Sequence, residues 1–188
     1  MEVTTTLLPA DRAAWRAWLF ENHATASEIW VISEDWPAGP AVTYLDLVEE
    51  ALCFGWIDGA GKRISEDAVA LRFSQRRRGG NWTELNKERA RRLIHLGLMT
   101  EAGARTLPDL TLAPEPAVAP DIEAALRAAP GAWENFSAFP ELYRRVRLGY
   151  LEEVRKLPAE FERRLRNFVA RAAANKMYGN WNDGGRLG

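Results

Sequence analysis

The chain has 188 residues, of which 47% are hydrophobic and 27% are charged, so its composition indicates a globular protein and excludes an intrinsically disordered one. The formal net charge of −1 excludes a protein that is basic over its whole surface. The single cysteine, Cys53, excludes an intramolecular disulfide, and with two histidines it leaves no zinc cluster of recognisable spacing. We therefore expect neither a structural metal nor a cofactor.

The N-terminal sequence does not predict export. It lacks the basic segment followed by an apolar run that an export signal requires, and no uncharged apolar stretch reaches membrane-spanning length. The sequence therefore predicts a cytoplasmic protein without membrane insertion.

The first predicted elements are short. Residues 3–8 can form a strand, because threonine and leucine tolerate an extended backbone. Residues 9–22 predict a helix, because apolar residues recur there at helical spacing. Residues 28–33, EIWVIS, predict a second strand, and the sequence WPAGP at residues 36–40 indicates a loop that cannot continue it.

Capping signals place the next elements. Thr43 and Asp46 form a capping-box pattern that begins a helix, and Gly55 can end that helix. Residues 56–64 and 68–73 then predict the two strands of a β hairpin, joined by polar residues.

The hairpin is followed by helices and a proline-rich stretch. A helix begins near Thr83 and ends at Gly97, and Thr100 starts a short helical turn. Residues 107–120 contain four prolines, which indicates an extended linker. Residues 121–178 carry apolar residues three and four apart, as expected for amphipathic helices that pack on one side.

Prolines divide this last part. Asp121 opens a helix that ends before Pro130, and a short segment with Trp133 and Phe136 follows. Two longer helices are separated near Pro158.

The order of these elements predicts an α+β fold, with a small, mainly antiparallel sheet and packed helices, followed by a helical C-terminal part. The strand order does not follow from the sequence. The predicted organisation is a core domain over residues 1–106, a proline-rich linker over 107–120, a helical region over 121–178 and a flexible tail over 179–188.

Residues 49–86 form the most informative segment, because they crowd tryptophan, arginine and acidic side chains around helix ends and turns. Large aromatic residues and arginines at such positions are typical of binding surfaces. The sequence therefore places a candidate ligand-binding site in this segment. The predicted site residues are Glu50, Trp56, Asp58, Arg72, Arg76, Arg77, Trp82 and Asn86.

Two carboxylates of this segment allow two interpretations. Glu50 and Asp58 could share a proton or accept one from a ligand. Alternatively, Asp58 serves the turn and Glu50 pairs with an arginine such as Arg72. We favour this structural alternative, because ion-pair networks perturb carboxylates as active sites do.

The arginine triplet at residues 76–78 is followed by two glycines and resembles an anion-holding loop. Glycine permits close backbone approach to an anion, and the next helix offers its N-terminal amides near Thr83. A solvated charged loop is the alternative, and the sequence does not separate the two.

The aromatic and reactive residues also have structural interpretations. Trp56 and Trp82 could stack on a base or a sugar ring, but a tryptophan at an element end more often covers the core, which is the interpretation we favour. Cys53 lies between apolar residues, which favours a buried, protonated thiol over a nucleophile. His95 fits a structural or exposed position on its helix better than a catalytic one.

One sequence pattern includes two continuous runs, EALCFGWIDG at residues 50–59 and LIHLGLMTEAG at residues 93–103. Between these runs it also includes Arg72-Phe73, Arg76-Arg77, Asn81-Trp82-Thr83 and Asn86. The pattern resembles the bacteriocin-protection, YdeI/OmpD-associated family, and residues 133–166 fit that family's C-terminal extension more loosely. The resemblance implies a bacterial protein linked by name to protection against bacteriocins, to stress resistance and to outer-membrane porins. It implies no catalytic residues.

Three functions follow from these observations. The preferred one is a noncatalytic accessory or binding protein that holds an anionic small molecule or a protein partner at Trp56, Asp58 and residues 76–83. The second is a nucleic-acid-binding protein that uses the basic residues 72–92, although the isoelectric point of about 6.2 argues against it. The third is a small-molecule enzyme with Glu50 or Asp58 as general base. The identity of the ligand and the oligomeric state do not follow from the sequence.

Overall fold

The computed structural model describes residues 2–34, 42–66, 68–77, 79–111 and 116–187. The loop predicted at residues 36–40 lies outside the described residues, as do Asp67 of the hairpin turn, Arg78 of the arginine triplet and part of the predicted linker. The described parts form one four-stranded sheet and a series of helices.

The strands are β1 (Thr6–Leu7), β2 (Glu28–Glu34), β3 (Trp56–Arg63) and β4 (Ala68–Gln75). Their order in the sheet is β1-β2-β4-β3. β1 pairs with β2 in parallel, whereas the β2–β4 and β3–β4 pairs are antiparallel. The predicted α+β class, the mainly antiparallel sheet and the hairpin are confirmed, and the strand predicted near the N-terminus is present in a shorter form.

The position of each strand in the sheet explains its burial. β4 lies between β2 and β3, and its residues Ala70 and Phe73 are fully buried. β3 lies at the edge, and its register against β4 shifts between Asp58 and Gly61, as in a β-bulge. A bulge redirects the side chains beside it, and this one lies next to the predicted site residue Asp58.

The helices of the first half are α1 (Arg12–Asn22), α2 (Tyr44–Cys53), α3 (Glu84–His95) and α4 (Glu101–Ala104). Asp11 caps α1, since its side chain accepts a hydrogen bond from the Ala14 amide at 2.7 Å. The predicted capping box of Thr43 and Asp46 begins α2. Gly55 follows this helix at a φ of 75°, which glycine adopts without steric strain. Local sequence signals therefore determine these helix ends.

The C-terminal end of α2 is held by α4. Thr100 donates two hydrogen bonds to the carbonyl oxygen of Cys53, from its amide at 3.1 Å and from its hydroxyl at 2.6 Å. Gly103 packs against the same carbonyl group, where a side chain would not fit. The carbonyl group at the end of α2 is therefore satisfied by residues almost 50 positions later in the chain.

Aromatic side chains fill the core beside the sheet. Trp15 of α1 is fully buried and stacks on Trp18 with ring centroids 5.5 Å apart. It also contacts Phe73 at 5.3 Å, and its Nε1 atom donates a hydrogen bond to the carbonyl oxygen of Leu47 at 3.0 Å. The buried indole is thus packed and satisfied, as a core tryptophan requires.

Two glutamates lie buried among three arginines. Glu49 and Glu50 of α2 are 0% and 2% exposed. Glu50 binds Arg12 at 2.6 Å and Arg16 at 2.5 Å, and Glu49 binds Arg12 and Arg92, each at 2.9 Å. This network connects α1, α2 and α3, and it neutralises two carboxylates that could not otherwise be buried.

The later helices are α5 (Pro120–Ala128), α6 (Ala132–Ala138), α7 (Glu141–Glu152) and α8 (Pro158–Ala173). They confirm the predicted helices, except that α5 begins at Pro120, because proline suits the first position of a helix. Phe136, Tyr143 and Phe168 are buried in one core with residues of all four helices. Phe136 meets Phe168 edge to face at 5.4 Å.

The contacts divide the chain into two compact units. The first contains residues 1–81 and 89–109, and the second contains residues 82–88 and 110–188. The start of α3 therefore belongs to the second unit, and the rest of α3 belongs to the first. In the second unit, Trp181 packs edge-on against Tyr143 at 5.8 Å. The predicted limits of the linker and the mobility of the tail stay predictions.

Candidate functional site

A polar cleft lies in the first unit beside the edge strand β3. Its volume is about 490 Å³. The residues that line it and carry polar side chains come from β3, β4, the segment after β4 and the residue before β2. They include Ser27, Asp58, Arg72, Gln75, Arg76, Arg77 and Asn81. We call this cavity the arginine cleft. It brings together four of the eight residues predicted for the site: Asp58, Arg72, Arg76 and Arg77.

Arg76 is a buried residue of the arginine cleft. The residue is 7% exposed, and its Nη1 atom donates a hydrogen bond to the carbonyl oxygen of Asn81 at 2.8 Å. Its amide donates to the carbonyl oxygen of Gly55, also at 2.8 Å. Burial lowers the pKa of Arg76 to about 10, and nearby Asp58 opposes this effect. Arg76 therefore remains a cation at neutral pH, in a position fixed by its backbone and side chain.

Arg72 and Arg77 differ in how much of their charge is balanced. Arg72 binds Glu28 of β2 through Nε at 2.8 Å and through Nη2 at 2.5 Å. The hydrogen bonds from Arg72, and next the one from Thr4, lower the pKa of Glu28, which therefore stays ionised beside Arg72. Arg77 is exposed, and its carbonyl oxygen accepts a hydrogen bond from the Gly80 amide at 3.0 Å. Arg77 lines the arginine cleft.

Asp58 is the acidic residue that lines the arginine cleft. Its Oδ2 atom accepts a hydrogen bond from the hydroxyl group of Tyr44, the first residue of α2, at 2.6 Å. Because Glu28 balances Arg72, the other charged side chains among the described residues that line the cleft are Arg76, Arg77 and Asp58. The local charge is therefore positive, and the complementary ligand group is an anion.

Two of the predicted site residues lie away from the arginine cleft in the same unit. Glu50 pairs with Arg12 and Arg16 rather than with Arg72. Trp56 is fully buried, and its Nε1 atom donates to the carbonyl oxygen of His23 at 3.2 Å. Both residues thus have the structural roles that we favoured over ligand contact.

The remaining two predicted residues, Trp82 and Asn86, belong to the second unit. Asn86 is 8% exposed, and its amide donates a hydrogen bond to Oγ1 of Thr83 at 3.1 Å. Trp82 is half-buried just before α3. Their closeness in sequence to Arg77 does not place them in the arginine cleft, which the first unit forms.

The surroundings of Cys53 and His95 are not those of catalytic residues. Cys53 is fully buried, and burial, followed by the charge of Glu50, raises the pKa of its thiol to about 11. His95 is exposed on α3. A protonated, buried thiol is not a nucleophile at neutral pH.

Sequence reasoning missed a second cavity, which lies within the second unit. It has a volume of about 420 Å³. The lining includes Leu85, Val146, Arg147, Tyr150, Glu153 and Tyr178. The spacing of Arg147 and Tyr150 on α7 could have indicated a shared face, but nothing in the sequence connects them with Tyr178. We call this cavity the tyrosine cavity.

Two further properties concern metals and membranes. Within the described ranges, no group of three or more His, Cys, Asp or Glu side chains could hold a metal ion. None of the helices in those ranges is both long enough and apolar enough to cross a lipid bilayer.

Two family models match the chain. Residues 7–106, more than half of the chain, match the family described as Domain of unknown function (DUF8412). Residues 115–175 match the family described as Bacteriocin-protection, YdeI or OmpD-Associated. No curated protein and no solved structure matches the chain significantly.

The second match confirms the resemblance to the bacteriocin-protection, YdeI/OmpD-associated family over residues 115–175. The runs at residues 50–59 and 93–103 and the matches between them, which carry the resemblance, lie within the DUF8412 match instead. The helical part of the chain therefore carries this family match, and the segment that contains the arginine cleft does not.

Proposed function

Since the chain belongs to the family described as Domain of unknown function (DUF8412), we propose its function from the arginine cleft: it is a noncatalytic accessory protein that binds an anionic ligand there. The observation that carries this proposal is the pairing of a buried arginine with an exposed one at a single cleft. Arg76 is fixed and cationic, and Arg77 stands at the surface. Guanidinium groups suit phosphate and carboxylate groups, which they bind with two parallel hydrogen bonds.

The carboxylates argue against an enzyme with Glu50 or Asp58 as general base. Glu50 accepts hydrogen bonds from Arg12 and Arg16, which occupy both of its carboxylate oxygens. Asp58 accepts a hydrogen bond from Tyr44. A general base must reach the proton that it removes, and both oxygens of Glu50 and Oδ2 of Asp58 already accept hydrogen bonds from protein donors.

The ion pairs of residues 72–92 also argue against an extended nucleic-acid surface. Arg72 pairs with Glu28, and Arg92 pairs with Glu49. Arg89 is 5% exposed. Arginines that are buried or already paired neutralise few phosphates, so a compact anion fits better than a polynucleotide backbone.

The match of residues 115–175 supports a connection with bacteriocin protection. We propose the cytoplasm as the location of this accessory role. In that location the protein would act on an anionic metabolite or on an acidic segment of a partner protein.

Thermal-shift measurements test the proposal. The purified protein is heated with inorganic phosphate, ATP, a sugar phosphate, citrate or a short acidic peptide, at low and at moderate salt. A ligand present at 100 times its dissociation constant stabilises a protein by about 2.7 kcal/mol, which is easily detected. We expect one class of anion to stabilise the protein at both salt concentrations.

A matched pair of variants locates the binding. Arg77→Ala removes an exposed arginine of the arginine cleft, whereas Arg63→Ala removes an exposed arginine of β3 that does not line it. We expect the first variant to lose most of the ligand-induced shift and the second to keep it. Equal shifts in both variants, or the absence of any anion effect, would contradict the proposal.

A further inference from the structure

The tyrosine cavity has the properties of a small-molecule site that is separate from the arginine cleft. Its volume of about 420 Å³ lies in the range of ligand pockets. Leu85, Val146 and the ring of Tyr150 supply apolar walls. An apolar wall with a few charged groups is the usual composition of such a site.

The first charged group is Arg147, which is 7% exposed. Its guanidinium lies over the rings of Tyr150 and Tyr178, with its central carbon 5.2 and 5.1 Å from their centroids. Its Nη2 atom donates to the carbonyl oxygen of Asn180 at 2.8 Å. No carboxylate of the described residues forms an ion pair with it, and its buried Nε atom has no hydrogen-bond acceptor among them.

Gly179 leaves room for the guanidinium group of Arg147. A Cβ atom at Gly179 would lie 2.7 Å from Nη1 of Arg147, and the φ of Gly179 is 69°. The backbone conformation therefore favours glycine at residue 179, and a side chain there would displace the guanidinium group of Arg147. The buried guanidinium group of Arg147 has no carboxylate partner among the described residues, so a bound anionic group would stabilise its charge.

The second charged group, Glu153, has the opposite sign. It follows directly after α7, at the C-cap position. The C-terminal end of a helix carries partial negative charge and favours cations, so a carboxylate there is placed against the local electrostatic preference. No ion pair of Glu153 is present in the described ranges, although the charges of Arg164 and Arg147 act on it. This end of the cavity therefore favours a positively charged group.

We propose that the tyrosine cavity binds a small zwitterion with an apolar body, of the class of the apolar α-amino acids. The carboxylate of the ligand lies against Arg147, its ammonium group lies against Glu153 and the end of α7, and its apolar part contacts Leu85 and Val146. A ligand with one charge of each sign matches the two charges of the lining, and Glu84, the other carboxylate there, is paired with Lys87 at 2.6 Å.

Calorimetric titration of the full chain with three compounds of similar shape tests the charge requirement. L-Leucine carries both charges, 4-methylpentanoate lacks the ammonium group, and 3-methylbutylamine lacks the carboxylate. Each lost charge-assisted hydrogen bond should weaken binding about tenfold to a hundredfold, so we expect leucine to bind more tightly than either analogue. Equal affinities, or no binding of leucine at millimolar concentration, would overturn the proposal.

Two neighbouring glutamates give a variant and its control. Glu153→Gln removes the carboxylate of the cavity, and Glu152→Gln removes one that pairs with Arg155 outside it. We expect Glu153→Gln to weaken leucine binding to about the level of 4-methylpentanoate and Glu152→Gln to leave it unchanged. Because both residues lie at an exposed helix end, both variants should fold. An unchanged affinity in Glu153→Gln refutes the assignment.

The Arg77→Ala variant separates this site from the arginine cleft. Arg77 belongs to the first unit, whereas the residues of the tyrosine cavity all belong to the second. We expect Arg77→Ala to bind leucine as the unchanged protein does. Loss of leucine binding in that variant would show that the zwitterion binds in the arginine cleft, which overturns the proposal for the tyrosine cavity.

Discussion

Gly103 of α4 packs so closely against the carbonyl group of Cys53, at the end of α2, that a Cβ atom at residue 103 would overlap with the carbonyl oxygen. The neighbouring Thr100 donates both of its hydrogen bonds to the same oxygen. A single carbonyl group thus connects two helices that are far apart in sequence, and the absence of a side chain at Gly103 makes this approach possible.

We expect Gly103→Ala to destabilise the protein, because the obstructing atoms are backbone and cannot rotate away. Overpacking of this kind lowers the free energy of unfolding by about 1–3 kcal/mol, or by more where backbone must move. Gly59→Ala is the matched control: the φ of Gly59 lies outside the left-handed region, and the nearest atom that its Cβ would meet is 3.5 Å away, an ordinary contact. Urea denaturation of both variants tests the prediction, and a larger loss in Gly59→Ala would contradict it.

The buried glutamates give a second prediction. Glu50→Gln keeps the shape of the side chain but removes the charge that balances Arg12 and Arg16. Breaking a buried ion pair costs about 3–5 kcal/mol of stability. Glu101→Gln, which breaks an exposed pair with Arg105, should have little effect. Chemical denaturation compares the two, and similar losses would show that the buried network does not stabilise the fold.

A third prediction concerns Cys53 and alkaline pH. Its pKa is raised to about 11 in the folded protein, whereas an unperturbed thiol has a lower value of about 8.5. Between these values the unfolded chain loses the thiol proton and the folded chain keeps it, so the stability contributed by the thiol falls as pH rises. We expect the stability difference between the unchanged protein and Cys53→Ala to shift against the unchanged protein from about pH 9 to 11. A constant difference over that range would contradict the expectation.

A fourth prediction separates a core tryptophan from a ligand platform. Trp56 is fully buried and contacts Trp18 edge-on at 5.7 Å. Trp56→Ala should therefore lower stability by about 3–5 kcal/mol. Phe20→Ala, at an aromatic residue that is 74% exposed, is the control and should change stability little. A small effect of Trp56→Ala would contradict its role as a core residue and favour a role in ligand binding.

Local signals in the sequence predicted most element boundaries. The capping box of Thr43 and Asp46, the N-cap at Asp11 and the stop at Gly97 each act within a few residues, so spacing alone reveals them. The strand order depends instead on pairing between distant segments. The parallel pairing of Thr6 with Trp30 is an example, because no turn chemistry between these residues specifies it.

The candidate site was predictable only where it follows one continuous segment. Arg76 and Arg77 are neighbours in sequence, so their convergence at one cleft could be expected. Glu50, by contrast, binds arginines that lie 38 and 34 residues away, and no periodicity indicates such partners. The tyrosine cavity was missed for the same reason, since Tyr178 meets Arg147 across 31 residues of chain.

Residues 82–88, at the start of α3, determine which segment of this protein could be transferred to another protein as a packed unit. Residues 82–88 lie inside the DUF8412 match, yet they group with the unit that contains residues 115–175. Within that unit, Glu84 occupies the space left by Gly149. A recombination event that transferred only residues 110–188 would leave this space empty. The limits of the DUF8412 match therefore differ from the limits of the second unit. A C-terminal part that is moved into another protein would need to include residues 82–88 of the DUF8412 match.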